Sequence, residues 1–133
     1  MDIYAQTILD RYKEPYYKDK KLDATVSHSE LNRSCGDEAH VSLRLDGDKI
    51  AEYTFAGAGC AISQAAADLL GDVIIDLSVD EVLNLTKETI YEVLGIEISL
   101  RRSKCALLAL LAVQNALLKH RGGELRNWTW YHL

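Results

Sequence analysis

The chain has 133 residues, 48% of them hydrophobic and 26% charged, a composition typical of a single soluble globular domain. Fifteen basic and twenty acidic residues give a formal net charge of −5, which argues against a nucleic-acid partner because phosphate binding favours the opposite balance. The longest apolar run, residues 105–113, is far shorter than the roughly 20 residues of a membrane span, and the first residues carry no secretory signal. We therefore expect a cytoplasmic protein with no membrane association.

The first half of the chain predicts one helix followed by strands. Apolar residues at helical spacing predict an amphipathic helix over residues 3–13, which ends before Pro15. Residues 24–31 are compatible with a short strand. Two runs of alternating apolar and polar residues, 40–45 and 51–55, flank an Asp-Gly-Asp turn signal and predict an antiparallel hairpin with one buried face.

The second half of the chain predicts helices. Apolar residues recur every three or four positions over residues 60–77, and a capping-box pattern at Ser78 and a capping Thr86 begin two short helices. Residues 103–120 predict a long buried helix that Gly122-Gly123 ends. Because the strands precede most of the helices, the predicted fold class is α+β, with helices packed on one face of a small antiparallel sheet.

No internal repeat or linker divides the chain, so we expect one domain over residues 1–121 and a C-terminal tail over residues 122–133. The tail contains three aromatic residues, Trp128, Trp130 and Tyr131. Docking of this tail on its own domain is the favoured interpretation, and docking on a second copy or on a partner is the alternative.

The three cysteines lie at the ends of predicted elements. Cys35 is in a loop before the hairpin, Cys60 is in the turn before the first long helix of the second half, and Cys105 is in the first turn of the last helix. An odd number of cysteines in a cytosolic chain argues against a disulfide framework and favours metal binding or thiol chemistry. Helix N-termini favour the thiolate form of Cys60 and Cys105, because they present unpaired N–H groups and partial positive charge.

A carboxylate provides a fourth donor. Asp37 follows Cys35 by two residues, and three thiolates with one carboxylate suffice for a tetrahedral metal site. A carboxylate is displaced from a soft metal more easily than a thiolate, so this site would open more readily than a four-cysteine zinc site. Four anionic donors around a divalent ion leave an excess of negative charge, which three basic neighbours would offset: Arg101, Arg102 and Lys104. The alternative for each cysteine taken alone is a buried apolar role, and Asp37 alone would be a loop or capping residue.

Three motifs together resemble those of the iron–sulfur cluster assembly scaffold family, which comprises IscU, the N-terminal domain of NifU, and SufU. The motifs are CGD at residues 35–37, GAGCAIS at residues 57–63 and RSKCA at residues 102–106. The resemblance covers roughly residues 3–120 in order and spacing. It implies the SufE/NifU-like scaffold fold, a compact α+β domain with a three-stranded sheet and packed helices.

The resemblance also implies what the site does. Cys35, Asp37, Cys60 and Cys105 would line one exposed pocket, and a cysteine desulfurase would deliver persulfide sulfur to one of the thiols. Cys35 and Cys105 are both candidate persulfide acceptors. A [2Fe-2S] cluster built in the pocket would be passed to an apo iron–sulfur acceptor protein. The protein would then be a non-enzymatic scaffold or carrier, with its oligomeric state open.

Two features incline the chain toward the SufU branch, whose members resemble zinc-dependent sulfurtransferases of the SUF system. Lys104 stands where the scaffold branch has histidine, and Ile98–Arg102 stand in place of the chaperone-binding segment Leu-Pro-Pro-Val-Lys. In that branch Zn2+ would be held by the same three cysteines and the aspartate. The insertion typical of the branch, between the second and third cysteines, is absent or very short. A cluster scaffold and a zinc-dependent sulfur carrier therefore both stay open.

Two further functions have less support. A structural zinc site in a binding module would use the same ligands without sulfur chemistry. A cysteine hydrolase would need a histidine base, and none of the four histidines is adjacent to a cysteine in the sequence: His28, His40, His120 and His132.

Overall fold

The computed structural model describes residues 2–133, which form three strands, five α-helices and one 3-10 helix. The elements in chain order are α1 (Ile3–Lys13), β1 (Val26–Asn32), β2 (Asp37–Asp46), β3 (Lys49–Ala56), α2 (Ala61–Ile74), α3 (Val79–Leu83), α4 (Lys87–Leu94), α5 (Leu100–His120) and a 3-10 helix (Trp128–Tyr131). Within residues 2–133, no helix combines the length and hydropathy that a membrane crossing requires.

The three strands form one antiparallel sheet in the order β1-β2-β3, which confirms the predicted α+β class. In β2 the side chains of Ala39, Val41 and Leu43 are buried while those between them face outward, as the alternating sequence pattern predicted. Helix α5 packs on the inner face of β1 and β2, and α2 lies beside α5. The opposite face is polar and carries Arg44 and Glu52 as an ion pair at 3.2 Å.

Strand β1 turns polar side chains toward the helices, which its sequence did not reveal. The Glu30 carboxylate accepts hydrogen bonds from Asn115 of α5 at 2.8 Å and lies 2.7 Å from the His28 ring. Asn32, at the end of the strand, is only 3% exposed. Hydrogen bonds rather than apolar packing alone therefore join this edge strand to α5.

Helix α1 is attached to α2 by a buried ion pair. Arg11 Nε lies 2.5 Å from Asp68 Oδ2, and Arg11 Nη1 lies 2.8 Å from Asp72. Asp68 is fully buried and also accepts the backbone N–H groups of Tyr16 and Tyr17 at 3.0 and 2.8 Å. The carboxylate is thereby fully hydrogen-bonded, and it fixes both the helix and the turn after Pro15.

The C-terminal tail docks on its own domain. Tyr131 is 2% exposed, and its hydroxyl donates to the side-chain oxygen of Gln114 in α5. Arg126 exchanges backbone hydrogen bonds with the Asn115 side chain at 2.7 and 3.0 Å, and its guanidinium lies 3.7 Å from the centre of the Trp130 ring. Helix α5 is therefore packed against the sheet on one side and the tail on another.

Two helices differ from their predicted bounds. Helix α2 ends at Ile74 rather than near residue 77, because the backbone of Ile75 is already extended, with ψ of 132°, and Asp76 follows with a φ of 75°. Helix α5 begins at Leu100 rather than at Ser103. The sequence pattern did not predict this first turn, because the turn is exposed and lacks the apolar periodicity of the rest of the helix. Strand β2 likewise begins at Asp37, three residues before the predicted His40.

Candidate metal centre

The sheet gathers distant parts of the sequence at one end. In an antiparallel sheet the end of β1, the start of β2 and the end of β3 lie together, as the pairings Asn32–Asp37 and His40–Ala56 show. The β1–β2 turn carries Cys35, the first residue of β2 is Asp37, and the chain leaving β3 reaches Cys60. Three of the four predicted ligands therefore come from strand ends.

Cys35 lies at the exposed tip of the β1–β2 turn, where Gly36 has a φ of 76°. The buried Asn32 side chain donates an N–H to Cys35 Sγ at 2.9 Å, and its oxygen accepts the Ser34 backbone N–H at 3.2 Å. This hydrogen bond fixes the orientation of the Cys35 side chain. We did not predict this residue. The signal in the sequence is an asparagine that ends a strand just before a Cys-Gly turn.

Asp37 is 4% exposed and points into the site. Its Oδ1 atom accepts the Cys60 backbone N–H at 3.3 Å, whereas its Oδ2 atom is buried without a hydrogen-bond partner among the described residues. A buried carboxylate oxygen without a partner is costly, and a bound cation would remove that cost. This oxygen is one indication that the site accepts a metal.

Cys60 is the N-cap residue of α2, as predicted from its place before the helix. Its side chain does not cap the helix, so the sulfur is free for other contacts. The segment before it passes very close to β2: Gly57 has a φ of 118°, and a Cβ atom built on Gly59 would lie 2.9 Å from Asp37 Oδ1. Gly59 is therefore needed for the backbone to approach the carboxylate, and Gly57 is needed because a Cβ there would clash with the Glu38 carbonyl oxygen.

Cys105 does not lie in the first turn of its helix, contrary to the sequence interpretation. Because α5 begins at Leu100, Cys105 is in the second turn, where its backbone N–H belongs to the helix, and it is only 5% exposed. Burial raises the pKa of the Cys105 thiol, and the neighbouring Asp37 and Cys35 side chains raise the pKa further. Metal binding to this sulfur would therefore release a proton.

The ligand atoms of Cys35, Asp37 and Cys105 all lie within 4.8 Å of one another. Cys35 Sγ and Cys105 Sγ are 3.5 Å apart. Cys60 does not belong to this group of three, but it lines the same open pocket, of about 490 Å³, as the other predicted ligands. The structure thus places all four predicted donors around one cavity.

The basic neighbours divide between two places. Arg101 and Arg102 line the pocket from the exposed first turn of α5. Lys104, in contrast, directs its ammonium toward the tail, where it lies 5.8 Å from the centre of the Trp128 ring. Two of the three predicted basic residues are therefore placed to offset negative charge in the pocket, and the third contacts the tail.

The donor set fits a thiophilic metal. Three cysteine sulfurs and one buried carboxylate converge, and one oxygen of that carboxylate has no other partner among residues 2–133. Such a set suits Zn2+ or iron in a sulfur environment rather than Mg2+ or Ca2+, which prefer all-oxygen ligands. His40 is the histidine closest in sequence to Asp37, but it is not part of the pocket lining. Its ring is hydrogen-bonded to the Ser29 hydroxyl at 2.6 Å on the exposed sheet face.

The chain is similar to known proteins. A sequence model of the NifU-like N-terminal domain matches residues 3–126. The chain is 29% identical to the zinc-dependent sulfurtransferase SufU of Bacillus subtilis over 139 aligned positions, which cover 92% of this chain and 94% of that protein. It is 37% identical to the iron-sulfur cluster assembly scaffold protein IscU of Thermotoga maritima over 86 positions, which cover 65% of this chain and 61% of that protein.

A solved structure shares the fold. The crystal structure of an iron-sulfur cluster assembly scaffold protein for the SUF system from Fervidobacterium islandicum superposes with a TM-score of 0.70 at 27% identity. The superposition covers 84% of this chain and 94% of the other. The α+β architecture and the resemblance predicted from the sequence motifs are both confirmed.

Proposed function

The chain belongs to the NifU-like N-terminal domain family, and on this premise we propose that it is an iron–sulfur cluster assembly scaffold. It would receive sulfur from a cysteine desulfurase, build a [2Fe-2S] cluster on three cysteines and one aspartate, and pass the cluster to apo acceptor proteins. The observation that carries the proposal is the convergence of Cys35, Asp37, Cys60 and Cys105 on one open pocket.

The chemistry of the pocket supports transfer rather than permanent binding. Thiolates hold iron firmly, whereas the carboxylate of Asp37 is a harder and more easily displaced donor. The pocket is open to solvent, and Cys35 is exposed at its rim, so a sulfur donor and an acceptor can both reach it. Arg101 and Arg102 offset the excess negative charge of four anionic donors.

A second function rests on the same ligands. SufU of Bacillus subtilis, named as a zinc-dependent sulfurtransferase, aligns with 92% of the chain. Lys104 stands where the resemblance described above implies a histidine in the scaffold branch. In this alternative Zn2+ would be held by the three cysteines and Asp37, and one cysteine would carry persulfide sulfur. The metal would supply Lewis-acid stabilisation of the thiolates, and the chain would supply the acceptor thiol.

Metal analysis tests whether the four side chains form one site. We expect about one zinc or iron ion per chain in the purified wild type and a large loss in Cys60→Ala, because a tetrahedral site needs all four donors. His40→Ala, whose ring lies outside the pocket lining, is the matched control and should keep the metal. Equal metal content in the wild type and Cys60→Ala would contradict the proposal.

Anaerobic reconstitution separates the two functions. The wild type is incubated with ferrous iron, cysteine and a cysteine desulfurase, and the products are followed by visible absorbance and intact mass. Cluster absorbance supports the scaffold. A persulfide on a zinc-loaded chain without cluster absorbance supports the sulfur carrier. If neither product forms, both functions are contradicted.

A further inference from the structure

The three cysteines are not equivalent in their spacing. Cys35 Sγ and Cys105 Sγ are in contact at 3.5 Å, whereas Cys60 lies outside the compact group that these two form with Asp37. The two neighbours also differ in access, since Cys35 is exposed and Cys105 is 5% exposed. An accessible thiol next to a shielded one is an arrangement in which the two thiols can form an intramolecular disulfide.

We propose that Cys105 resolves sulfur carried on Cys35, so that the metal-free chain releases that sulfur as sulfide. This step adds detail to the proposed function. It rests on that function only because Cys35 must first be loaded with sulfur. The reactants are the Cys35 persulfide and the Cys105 thiol, and the products are a Cys35–Cys105 disulfide and hydrogen sulfide.

The step balances without an external oxidant. The Cys105 sulfur attacks Cys35 Sγ and forms the new S–S bond, while the bond from Cys35 Sγ to the outer sulfur breaks. The electron pair of that bond leaves with the outer sulfur, which also takes the Cys105 proton. Cys105 is oxidised, the outer sulfur is reduced, and an external dithiol would later return the disulfide to two thiols.

The geometry favours attack on Cys35 Sγ by Cys105 over attack by Cys60, which lies outside the close group. An S–S bond is about 2 Å long, so the 3.5 Å contact closes with a movement of roughly 1.5 Å, which rotation of the exposed Cys35 side chain can provide. Asn32 donates to Cys35 Sγ at 2.9 Å and keeps that sulfur beside Cys105. Cys105 itself is fixed on the buried face of α5.

The test uses the metal-free full-length chain and sodium tetrasulfide as the sulfur donor, under anaerobic conditions and without a partner protein. After desalting, intact mass and cyanolysis measure retained sulfur, and peptide mapping locates any disulfide. We expect the wild type to lose nearly all added sulfur and to contain a Cys35–Cys105 disulfide. We expect Cys105→Ser to retain one added sulfur atom on Cys35.

His40→Ala is the matched control and should behave as the wild type, because its ring contacts Ser29 and is not part of the pocket lining. Three results would overturn the inference: sulfur retained equally by the wild type and Cys105→Ser, added sulfur found on Cys105, or no sulfur on Cys35 in Cys105→Ser. Peptide mapping of the wild type alone still decides the question if a variant misfolds. The metal content of the purified chain, measured before the metal is removed for this test, examines the proposed function separately, so the two failures are distinguishable.

Discussion

Asp37 shows how much of the site depends on a single side chain. It begins β2, is almost fully buried, accepts the Cys60 N–H with one oxygen and leaves the other without a partner among the described residues. Its position depends in turn on the absence of a side chain at residue 59. A buried carboxylate in such close contact with backbone has little room to move, which preorganises the ligand for metal.

Gly59→Ala should therefore weaken metal binding while leaving the fold intact. The added methyl group would lie 2.9 Å from Asp37 Oδ1 and also contact the Ser63 hydroxyl, so the carboxylate must shift. We expect a loss of about 10- to 100-fold in zinc affinity, the usual effect of disturbing the support of a ligand. Competition with a chromophoric chelator measures it.

Gly123→Ala is the control for this substitution. Its added methyl would meet its nearest atom, in the Leu118 side chain, at 3.4 Å, an ordinary contact, and the residue lies in the chain after α5 rather than in the pocket lining. Zinc affinity should be unchanged in this variant. Unchanged affinity in Gly59→Ala as well would show that Asp37 is not held by this contact.

At the scale of elements, α1 depends on one charged contact with α2. Arg11 is 7% exposed and Asp68 is fully buried, so loss of the guanidinium would leave a buried carboxylate without its counter-charge. Burial alone would raise the pKa of the neighbouring Asp72, but hydrogen bonds from Arg11 and Tyr17 outweigh it and lower the pKa. The contact between Arg11 and Asp72 thus stabilises the fold above the acid range, where Asp72 is ionised, and this contribution is lost as the pH falls through the lowered pKa of Asp72.

Arg11→Ala should lower the free energy of unfolding by about 3 to 5 kcal/mol at neutral pH, the usual cost of breaking a buried ion pair. The control is Arg44→Ala, which breaks the exposed Arg44–Glu52 pair, with side chains 40% and 48% exposed, and should cost less than about 1 kcal/mol. Urea denaturation measures both. Similar losses in the two variants would contradict the role assigned to Asp68.

Sequence patterns predicted the elements well and their ends less well. The hairpin was predictable because alternation and an Asp-Gly turn give independent signals, and the capping box at Ser78 forms as expected. The first turn of α5 was not predictable from the sequence, because Leu100 is 91% exposed and is not part of the apolar pattern of the helix. That error moved Cys105 to the wrong turn and overstated how strongly the helix N-terminus acts on it.

For the site, residue types predicted the candidate donors but not their spacing. The motifs predicted Cys35, Asp37, Cys60 and Cys105 as a set, because the type of a residue determines which donor atom its side chain offers. The close contact between Cys35 and Cys105 depends on how α5 crosses the sheet, which no local pattern encodes. The contact of Lys104 with Trp128 depends in the same way on the path of the tail.

At the scale of the whole molecule, the tail completes the packing around α5. Tyr131 donates to Gln114, which is fully buried, and the Gln114 amide donates to two backbone carbonyls of the α3 region, Val82 and Leu85, at 3.0 Å each. One buried polar chain thus joins the tail, α5 and α3. Removing a donor from such a chain leaves a buried acceptor without a partner.

Tyr131→Phe should therefore destabilise the protein by about 1 to 3 kcal/mol, because the Gln114 oxygen loses its donor. Trp130→Phe, at a position 38% exposed, is the control and should change stability by about 0.5 kcal/mol or less. Thermal and urea unfolding measure the difference, and zinc content should be normal in both variants. Equal stability of the two variants would show that the buried hydrogen bond is dispensable.

The distribution of the ligands along the polypeptide has a consequence for synthesis. Cys35 and Cys60 leave the ribosome well before Cys105, which follows Cys35 by 70 residues and lies on the last long helix. A nascent chain therefore displays two thiols long before the third can join them. A metal site that uses all four candidate donors can close only after Cys105 has left the ribosome, so a filled pocket would mark a chain that has folded through α5.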